Sequence, residues 1–206
     1  MLIKLSDLVK KYNLSLRGVF HIGAHACEER GDYHREGVKD ENIIWIEGSK
    51  ALCDRISKDK NVIIYNEVVS DSDNNEVEFI ITNNGQSSSI LELDLHKTYH
   101  PHVYEVARYK VKTKKVDTII NENKIDMRNI NFLNIDIQGA ELLALKGMAD
   151  NLKFIDYIYL EVNSASVYKN CAQISEIDNF LEKFGYKRVE TSMTAYQWGD
   201  AFYIKS

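Results

Sequence analysis

The segment Val19-Phe20-His21-Ile22-Gly23-Ala24-His25, followed 24 positions after Gly23 by Glu47 in Ile43-Ile44-Trp45-Ile46-Glu47, constrains the fold more than any other part of the chain. An apolar, β-branched run ends in glycine, a helical stretch follows, and a second apolar run ends in a carboxylate. This is the pattern of a βαβ unit that holds a nucleoside. Glycine lets the backbone approach a ligand closely, and an acid at the tip of the second strand accepts hydrogen bonds from ribose hydroxyls.

The rest of the chain extends the same rhythm. Leu5, Leu8, Val9 and Tyr12 fall at helical spacing and predict a short N-terminal helix within residues 1–17. Strands are expected over Val19–Gly23, Ile43–Glu47 and Val62–Tyr65, with helices over Glu28–Glu36 and Ser49–Ser57, the second capped by Ser49. Later come a short helix Val116–Asn121, a strand Asn131–Ile137, a helix Gly139–Gly147 and a long strand Phe154–Val162. Ile174, Ile177, Phe180 and Leu181 then mark a helix that Gly185 ends. Strands Tyr186–Glu190 and Ala201–Ile204 close the chain as an antiparallel hairpin at one sheet edge. The alternation predicts an α/β fold with a mainly parallel sheet and helices on both faces.

The middle breaks the rhythm. Glu76–Thr82 and Tyr109–Thr113 read as strands and Asn83-Asn84-Gly85 as a turn. Between them, Gln86 to Arg108 is polar and carries Ser87-Ser88-Ser89, three histidines and the sole proline, Pro101. Such a segment between regular units is expected to form a substrate-side insertion or lid (83–108) rather than a disordered loop.

Composition narrows the class. With 206 residues, 44% of them hydrophobic, one domain with one substantial core is expected over 1–206. A net charge of −5 argues against a nucleic-acid partner. Lys110, Lys112, Lys114 and Lys115 alternate with Tyr109, Val111 and Thr113 and read as the wet face of a strand. Three cysteines without a CxxC pair (Cys27, Cys53, Cys171) argue against a disulfide framework or structural zinc and fit a reducing compartment. Asp7 and Lys10 follow Met1-Leu2-Ile3-Lys4 too soon for a signal-peptide core, and no apolar run approaches the roughly 20 residues of a membrane span. A cytoplasmic protein with no membrane partner is expected.

Phe132-Leu133-Asn134-Ile135-Asp136-Ile137-Gln138-Gly139-Ala140-Glu141-Leu142 is the second informative block. Asp136 falls at the carboxyl end of a central strand, where open α/β sheets bind ligands. Gly139 permits a tight strand-to-helix turn. Glu141, in the first helical turn, is favoured by the helix dipole and reads as a cap. An acid directly after buried strand residues is costly without a partner, so Asp136 is the stronger candidate.

Taken in order, His21-Ile22-Gly23-Ala24-His25, Ile46-Glu47, Asn134 through Glu141 to Leu145-Lys146-Gly147, and Leu160-Glu161-Val162 resemble the FkbM-type family of S-adenosylmethionine-dependent methyltransferases. The closing segment, from Tyr168-Lys169-Asn170-Cys171 to Trp198 through Tyr203, resembles a small-protein branch of it. The resemblance runs from about Val19 to the C-terminus. It implies a Rossmann-like class I methyltransferase fold with a seven-stranded sheet, S-adenosylmethionine as cofactor, and O-methylation of a small, sugar-containing or glycan acceptor. Family members often carry a second glycine where this chain has Cys27. A thiol at a helix N-terminus can be acidified, but methyl transfer needs no enzyme nucleophile, and Cys27 is read as structural.

Roles follow from what such a reaction requires, an in-line methyl transfer in which positioning both reactants is the main task. Gly23, Ala24 and His25 would approach the methionine part, Glu47 the ribose, and Asn66, Glu67 and Val68 the adenine. Asp136 would accept from the cofactor amine or face the acceptor. An alcohol acceptor must lose a proton, and Asp136, Glu161 and a histidine among His96, His100 and His102 are candidate bases. Those histidines, with Glu92 and Asp94, could form a metal site, but solvated loop side chains are expected and no metal is assigned. His21 is expected as a satisfied core or cleft histidine, with His25 better placed for a ligand. Tyr168, Tyr196 and Trp198 could stack on a sugar ring or fill the core. Two other functions compete. A nicotinamide-dependent oxidoreductase would also use Glu47, but Gly23-Ala24-His25-Ala26-Cys27-Glu28 lacks two glycines of a pyrophosphate loop and sets Glu28 and Glu29 beside the anion. A noncatalytic nucleoside-binding module would retain the fold without turnover.

Overall fold

The computed structural model describes residues 1–206. Its strands are β1 (Val19–Ile22), β2 (Ile43–Glu47), β3 (Ile63–Asn66), β4 (Val68–Val69), β5 (Glu76–Thr82), β6 (Glu105–Lys114), β7 (Phe132–Ile135), β8 (Tyr157–Asn163), β9 (Tyr186–Met193) and β10 (Trp198–Lys205). Its helices are α1 (Leu5–Tyr12), α2 (Arg30–Arg35), α3 (Lys50–Ile56), α4 (Leu95–Tyr99), α5 (Val116–Glu122), α6 (Glu141–Gly147) and α7 (Ile174–Glu182).

Seven strands form one sheet in the order β3-β2-β1-β7-β8-β10-β9. The first five are parallel; β10 runs antiparallel to both neighbours, so the closing hairpin occupies one edge as expected. β1 and β7 are neighbours although far apart in sequence. The strand order reverses there, which opens a crevice at the carboxyl edge of the sheet. The central strands are buried on both faces, which explains their unbroken apolar runs. One face packs Phe20, Ile22, Leu133 and Leu145. The other packs Val19, Trp45 and Phe202 with Leu5 and Leu8 of α1, so the N-terminal helix belongs to the same core. No helix is long and apolar enough to cross a membrane.

Several boundaries differ from expectation for local reasons. Helix α2 begins at Arg30 because His25 and Cys27 take left-handed backbone angles (φ 42° and 57°) that no helix continues. Ser49 occupies the N-cap of α3 without a side-chain cap; its amide instead donates to Glu47 Oε1 at 2.6 Å. Strand β7 stops at Ile135, and α6 begins only at Glu141, with Gln138 and Gly139 at positive φ between them. Residues Leu152–Phe154 form a 3-10 turn rather than the start of β8.

The middle segment builds a second, three-stranded sheet, β4-β6-β5, which the sequence pattern did not reveal. Its link to the rest is the two-residue β4, too short to show a period. β6 is longer than expected, and Lys110 and Lys114 on it are ion-paired, Lys110 with Glu76 and Lys114 with Glu67 and Glu122. Residues 83–104 pack onto the rest of the chain through defined contacts. Ile80 and Ser89 form a bridge, Leu93 pairs with Tyr168, and α4 follows.

Candidate active site

A cleft of about 570 Å³ opens at the carboxyl edge of the large sheet. That volume lies within the range of small-molecule and cofactor sites. Its floor is made by the residues that follow β1, β2 and β7, and one wall by the segment 84–90 with His96, His100, His102 and Val103.

On the β1–β2 side, Glu47 ends β2 and is 7% exposed. Its Oε2 accepts from the His25 amide at 2.7 Å and its Oε1 from the Ser49 amide. Burial raises its pKa, and these two amide bonds oppose the rise. Each oxygen keeps a further lone pair directed to other donors, so a fixed carboxylate stands ready for paired hydroxyls. Gly23 is required here. At φ 93°, a β-carbon on it would collide with the Asp136 carbonyl, so only glycine lets the loops after β1 and β7 meet.

The other residues assigned to this half divide. Gly23, His25, Glu47, Glu67 and Val68 line the cleft, with Val69 and Phe79 beside them. Ala24 is 1% exposed and belongs to the core, its amide bonded to the Ile46 carbonyl. Asn66 does not line the cleft. It is exposed, and its amide donates to the carbonyls of Glu47 and Gly48 (2.8 and 3.1 Å), holding the end of β2 in place. Cys27 is buried and, with Glu28 nearby, its thiol is pushed up to about 12. It is therefore an inert group, in a backbone conformation that favours glycine.

On the other side the structure gathers acids from three strands. Asp136 follows β7, Glu161 lies in β8 and Asp200 in β10, all lining the cleft. Glu161 and Asp200 are directly opposite each other across the β8–β10 pair, each 6% exposed. Like charges in that position repel. Gln138, at φ 58°, sits between the acids. Its Nε2 donates to Asp136 Oδ1 at 2.6 Å and to Glu161 Oε2 at 2.9 Å, and its Oε1 accepts from the Tyr168 hydroxyl. Asp200 accepts from the Tyr159 hydroxyl and the Leu2 amide.

Asp136 remains accessible to solvent, but protein encloses it within the concavity. Loss of bulk water raises its pKa, the Gln138 bond opposes this, and Asp200 adds to the rise. Burial holds Glu161 well above the usual carboxylate range, reinforced by Asp136, Glu141 and Asp200. Glu141 is 1% exposed. Its Oε1 accepts from the amides of Ile137 and Gly139 (both 3.1 Å), so it ties down the loop after β7 rather than merely capping α6.

The histidines depart from the solvated arrangement expected of them. His96 is 6% exposed and His100 half-buried; only His102 is exposed. His96 stacks between Tyr168 (5.5 Å) and His100 (4.9 Å), and His100 meets Tyr196 at 4.8 Å. Burial lowers the His96 pKa to about 4, and His96 Nδ1 has no hydrogen-bond partner. No group of three His, Cys, Asp or Glu side chains is arranged to hold a metal ion. His21 is a core histidine: Nδ1 meets the Tyr33 hydroxyl at 2.9 Å, the ring stacks on Trp45, and burial lowers its pKa to about 3.

Sequence reasoning missed Gln138, Tyr159 and Asp200 as site residues. Asp200 carried a signal, since an acid within the apolar run Trp198–Ile204 needs a partner or a purpose.

The sequence profile of the Methyltransferase FkbM domain matches residues 21–188. Among curated proteins, none matches the chain in sequence. Many solved structures share its fold, among them the following three. Magnesium protoporphyrin IX methyltransferase of Synechocystis PCC 6803, determined with bound SAM, has a TM-score of 0.52 at 10% identity, over 98% of this chain and 76% of that one. A candidate tRNA (m1A22) methyltransferase of Streptococcus pneumoniae gives 0.53 at 10% identity, over 100% and 71%. An uncharacterised protein of Listeria monocytogenes serotype 4b gives 0.53 at 10% identity, over 100% and 69%. At such identity the likeness establishes the Rossmann-like class I architecture alone. The first two are named for a porphyrin and a tRNA acceptor, so the fold itself does not select the acceptor.

Proposed function

The chain belongs to the FkbM methyltransferase family, whose cofactor is S-adenosylmethionine, and on that premise we propose that it methylates a hydroxyl of a small, sugar-containing acceptor. The observation that carries this reading is the Asp136–Gln138–Glu161 bridge, in the same cleft as Glu47. S-adenosylmethionine supplies a sulfonium methyl for in-line displacement, so the protein's task is to place two reactants and manage one proton.

The cofactor fits the residues present. Glu47, with both oxygens fixed by backbone amides, takes the ribose hydroxyls. Val68, Val69 and Phe79 offer an apolar slot for the adenine beside Glu67. Gly23 and His25 lie against the methionine part, and Asp136 can also receive its amine. Ala24 and Asn66 act through the backbone positions they hold rather than by touching the cofactor.

Asp136 is the acid open to the cleft, so it is the group that meets the acceptor hydroxyl. A raised pKa makes it a stronger base than an ordinary carboxylate. Glu161, held well above the usual range, is suited to keep a proton beside it. Gln138 fixes the distance between them, and Tyr168 fixes Gln138. His100 and Trp198 line the cleft and can stack on a ring of the acceptor, with Tyr196 packed behind His100. Three buried, unpaired cysteines support a reducing, cytoplasmic setting.

The test is transfer of tritiated methyl from S-adenosylmethionine to a panel of glycosides, run alongside calorimetry with S-adenosylhomocysteine. Binding of the homocysteine product with label on an acceptor oxygen supports the reading. Binding with label only on nitrogen or carbon refutes the O-methyl part. Tight NAD binding with no response to S-adenosylhomocysteine refutes it altogether.

A further inference from the structure

The charge lining the cleft is one-sided. Glu28, Glu29, Glu47 and Glu67 line the β1–β3 half, and Asp136, Glu161 and Asp200 the β7–β10 half; no lysine or arginine side chain lines either. The terminal amine of Met1, at the rim, is matched by Glu29 at 3.9 Å. Of the basic side chains on the neighbouring β6, Arg108, Lys110 and Lys114 are paired with acids, and Lys112 is exposed and does not line the cleft. Arg108 contacts Glu78, Glu92 and Glu105 (2.6, 3.1 and 2.6 Å), and Lys114 contacts Glu67 and Glu122 (2.7 and 2.9 Å).

A sulfonium cofactor accounts for negative charge in the first half, not in the second. The β8 and β10 acids lie two and three strands beyond β1, on the side away from Glu47. The polar groups that accompany them are uncharged. His96 is more than nine-tenths buried with Nδ1 unpartnered, and its lowered pKa keeps the ring neutral at physiological pH. Gln138 and Tyr168 are neutral, and Trp198 adds an aromatic wall. Sites that recognise phosphate use Arg, Lys or a ring of free amides. Here the amides of Gly23, Ala24 and His25 are all spent on Ile46 and Glu47.

Resting on the methyltransferase reading, we propose that the acceptor carries no negative charge at the reacting end: the cleft takes a neutral or amine-bearing hydroxylated ring and rejects phosphorylated, nucleotide-linked and polynucleotide substrates. His96 lines the cleft, and its Nδ1, unpartnered and closed to water in this conformation, supplies one neutral hydrogen bond to the acceptor when the ring turns toward it. Asp136 and the β10 acid Asp200 favour a ligand amine where there is one and repel a phosphate, while Glu161, keeping its proton, adds a neutral carboxyl beside them.

The experiment separates the two levels of inference. Calorimetry of the full chain with S-adenosylhomocysteine tests the methyltransferase reading alone. With binding established, small molecules from the source cell are divided on an anion exchanger at pH 7 and each pool is offered with tritiated S-adenosylmethionine. Label confined to the unretained pool is the expected result; label confined to the retained, anionic pool overturns the proposal. Paired probes give the magnitude. A methyl glycoside or amino sugar should outcompete its phosphate ester by on the order of 100-fold, the repulsion of one phosphate by carboxylates an acceptor's width away. Pyrophosphate and bulk tRNA should show no saturable binding to the S-adenosylhomocysteine complex, and micromolar binding of either overturns the proposal. His96→Ala should lower kcat/KM for the acceptor by about tenfold and leave S-adenosylhomocysteine affinity unchanged; wild-type kcat/KM removes His96 from acceptor recognition.

Discussion

Replacing Asp136 by Asn should abolish most turnover while leaving the protein as stable as before, or more so. The side chain keeps its size, and its carbonyl can still accept from Gln138 Nε2, now 2.6 Å from Asp136 Oδ1. What disappears is charge and basicity. No cation is ion-paired with Asp136: burial, Asp200 and Glu28 raise its pKa, and only the Gln138 bond and the more distant Met1 ammonium oppose them. A carboxylate whose pKa is raised in the fold is destabilised when ionised, so at neutral pH the charge weakens the native state rather than supporting it. Removing it relieves repulsion with Asp200 and Glu28. Turnover should fall by roughly 10²–10⁴-fold, the usual range for a lost general base and about 3–5 kcal/mol of barrier. Thermal unfolding at pH 7.5 should show Tm unchanged or raised by a few degrees, at about 2–4 °C per kcal/mol for a chain of this size. The limb of the wild-type profile in which kcat/KM rises with pH should also vanish from the variant. Wild-type turnover would falsify the assignment. A Tm lowered by 10 °C or more would refute the electrostatic reasoning, because it would mean the charge supports the fold.

Glu47→Ala should weaken S-adenosylhomocysteine binding by about 1–3 kcal/mol, the scale of charge-assisted hydrogen bonds; unchanged affinity by calorimetry would place the ribose elsewhere. Glu141, pushed up to about 7 chiefly by burial, should make the protein lose stability on the order of 3 kcal/mol as pH rises from about 4.5 through 7. The sign follows from a folded pKa above the unfolded one: stabilisation is complete in acid and is lost on ionisation. Denaturant titrations at pH 5 and pH 8 should show this slope, and Glu141→Gln should flatten it; an equal slope in both proteins refutes the attribution. Cys27, at about 12, should resist iodoacetamide at pH 8 in the native state, and rapid alkylation would show that its thiol is neither buried nor inert. Cys27→Gly, at φ 57°, should keep Tm within a few degrees, since relief of left-handed strain offsets glycine's greater unfolded-state entropy; a large loss would mean that thiol packing dominates.

Local patterning determined most of the large sheet. Parallel strands buried on both faces must be continuous apolar runs, and the helices between them must show their own period, so β1, β2, β7 and β8 were visible as segments. Glu47 and Asp136 were legible for the same reason, because an acid at the end of such a run stands where the sheet meets solvent. Other features needed the folded chain. Burial periodicity says which residues are inside, but not which strands become neighbours. Glu161 faces Asp200 only because β10 inserts antiparallel beside β8 in that register. Gln138 bridges two acids only because a left-handed turn aims its amide between them. His96 left the solvent because Leu93 pairs with Tyr168 and draws α4 onto the cleft. Ala24 and Asn66 belong to the motif but do not line the cleft, because the Ala24 amide and the Asn66 side chain bond to main-chain carbonyls, which no spacing rule records. Sequence distance is cheap to read and local in its physics, whereas convergence of charges across strands is set by topology and register, which emerge when the whole core closes.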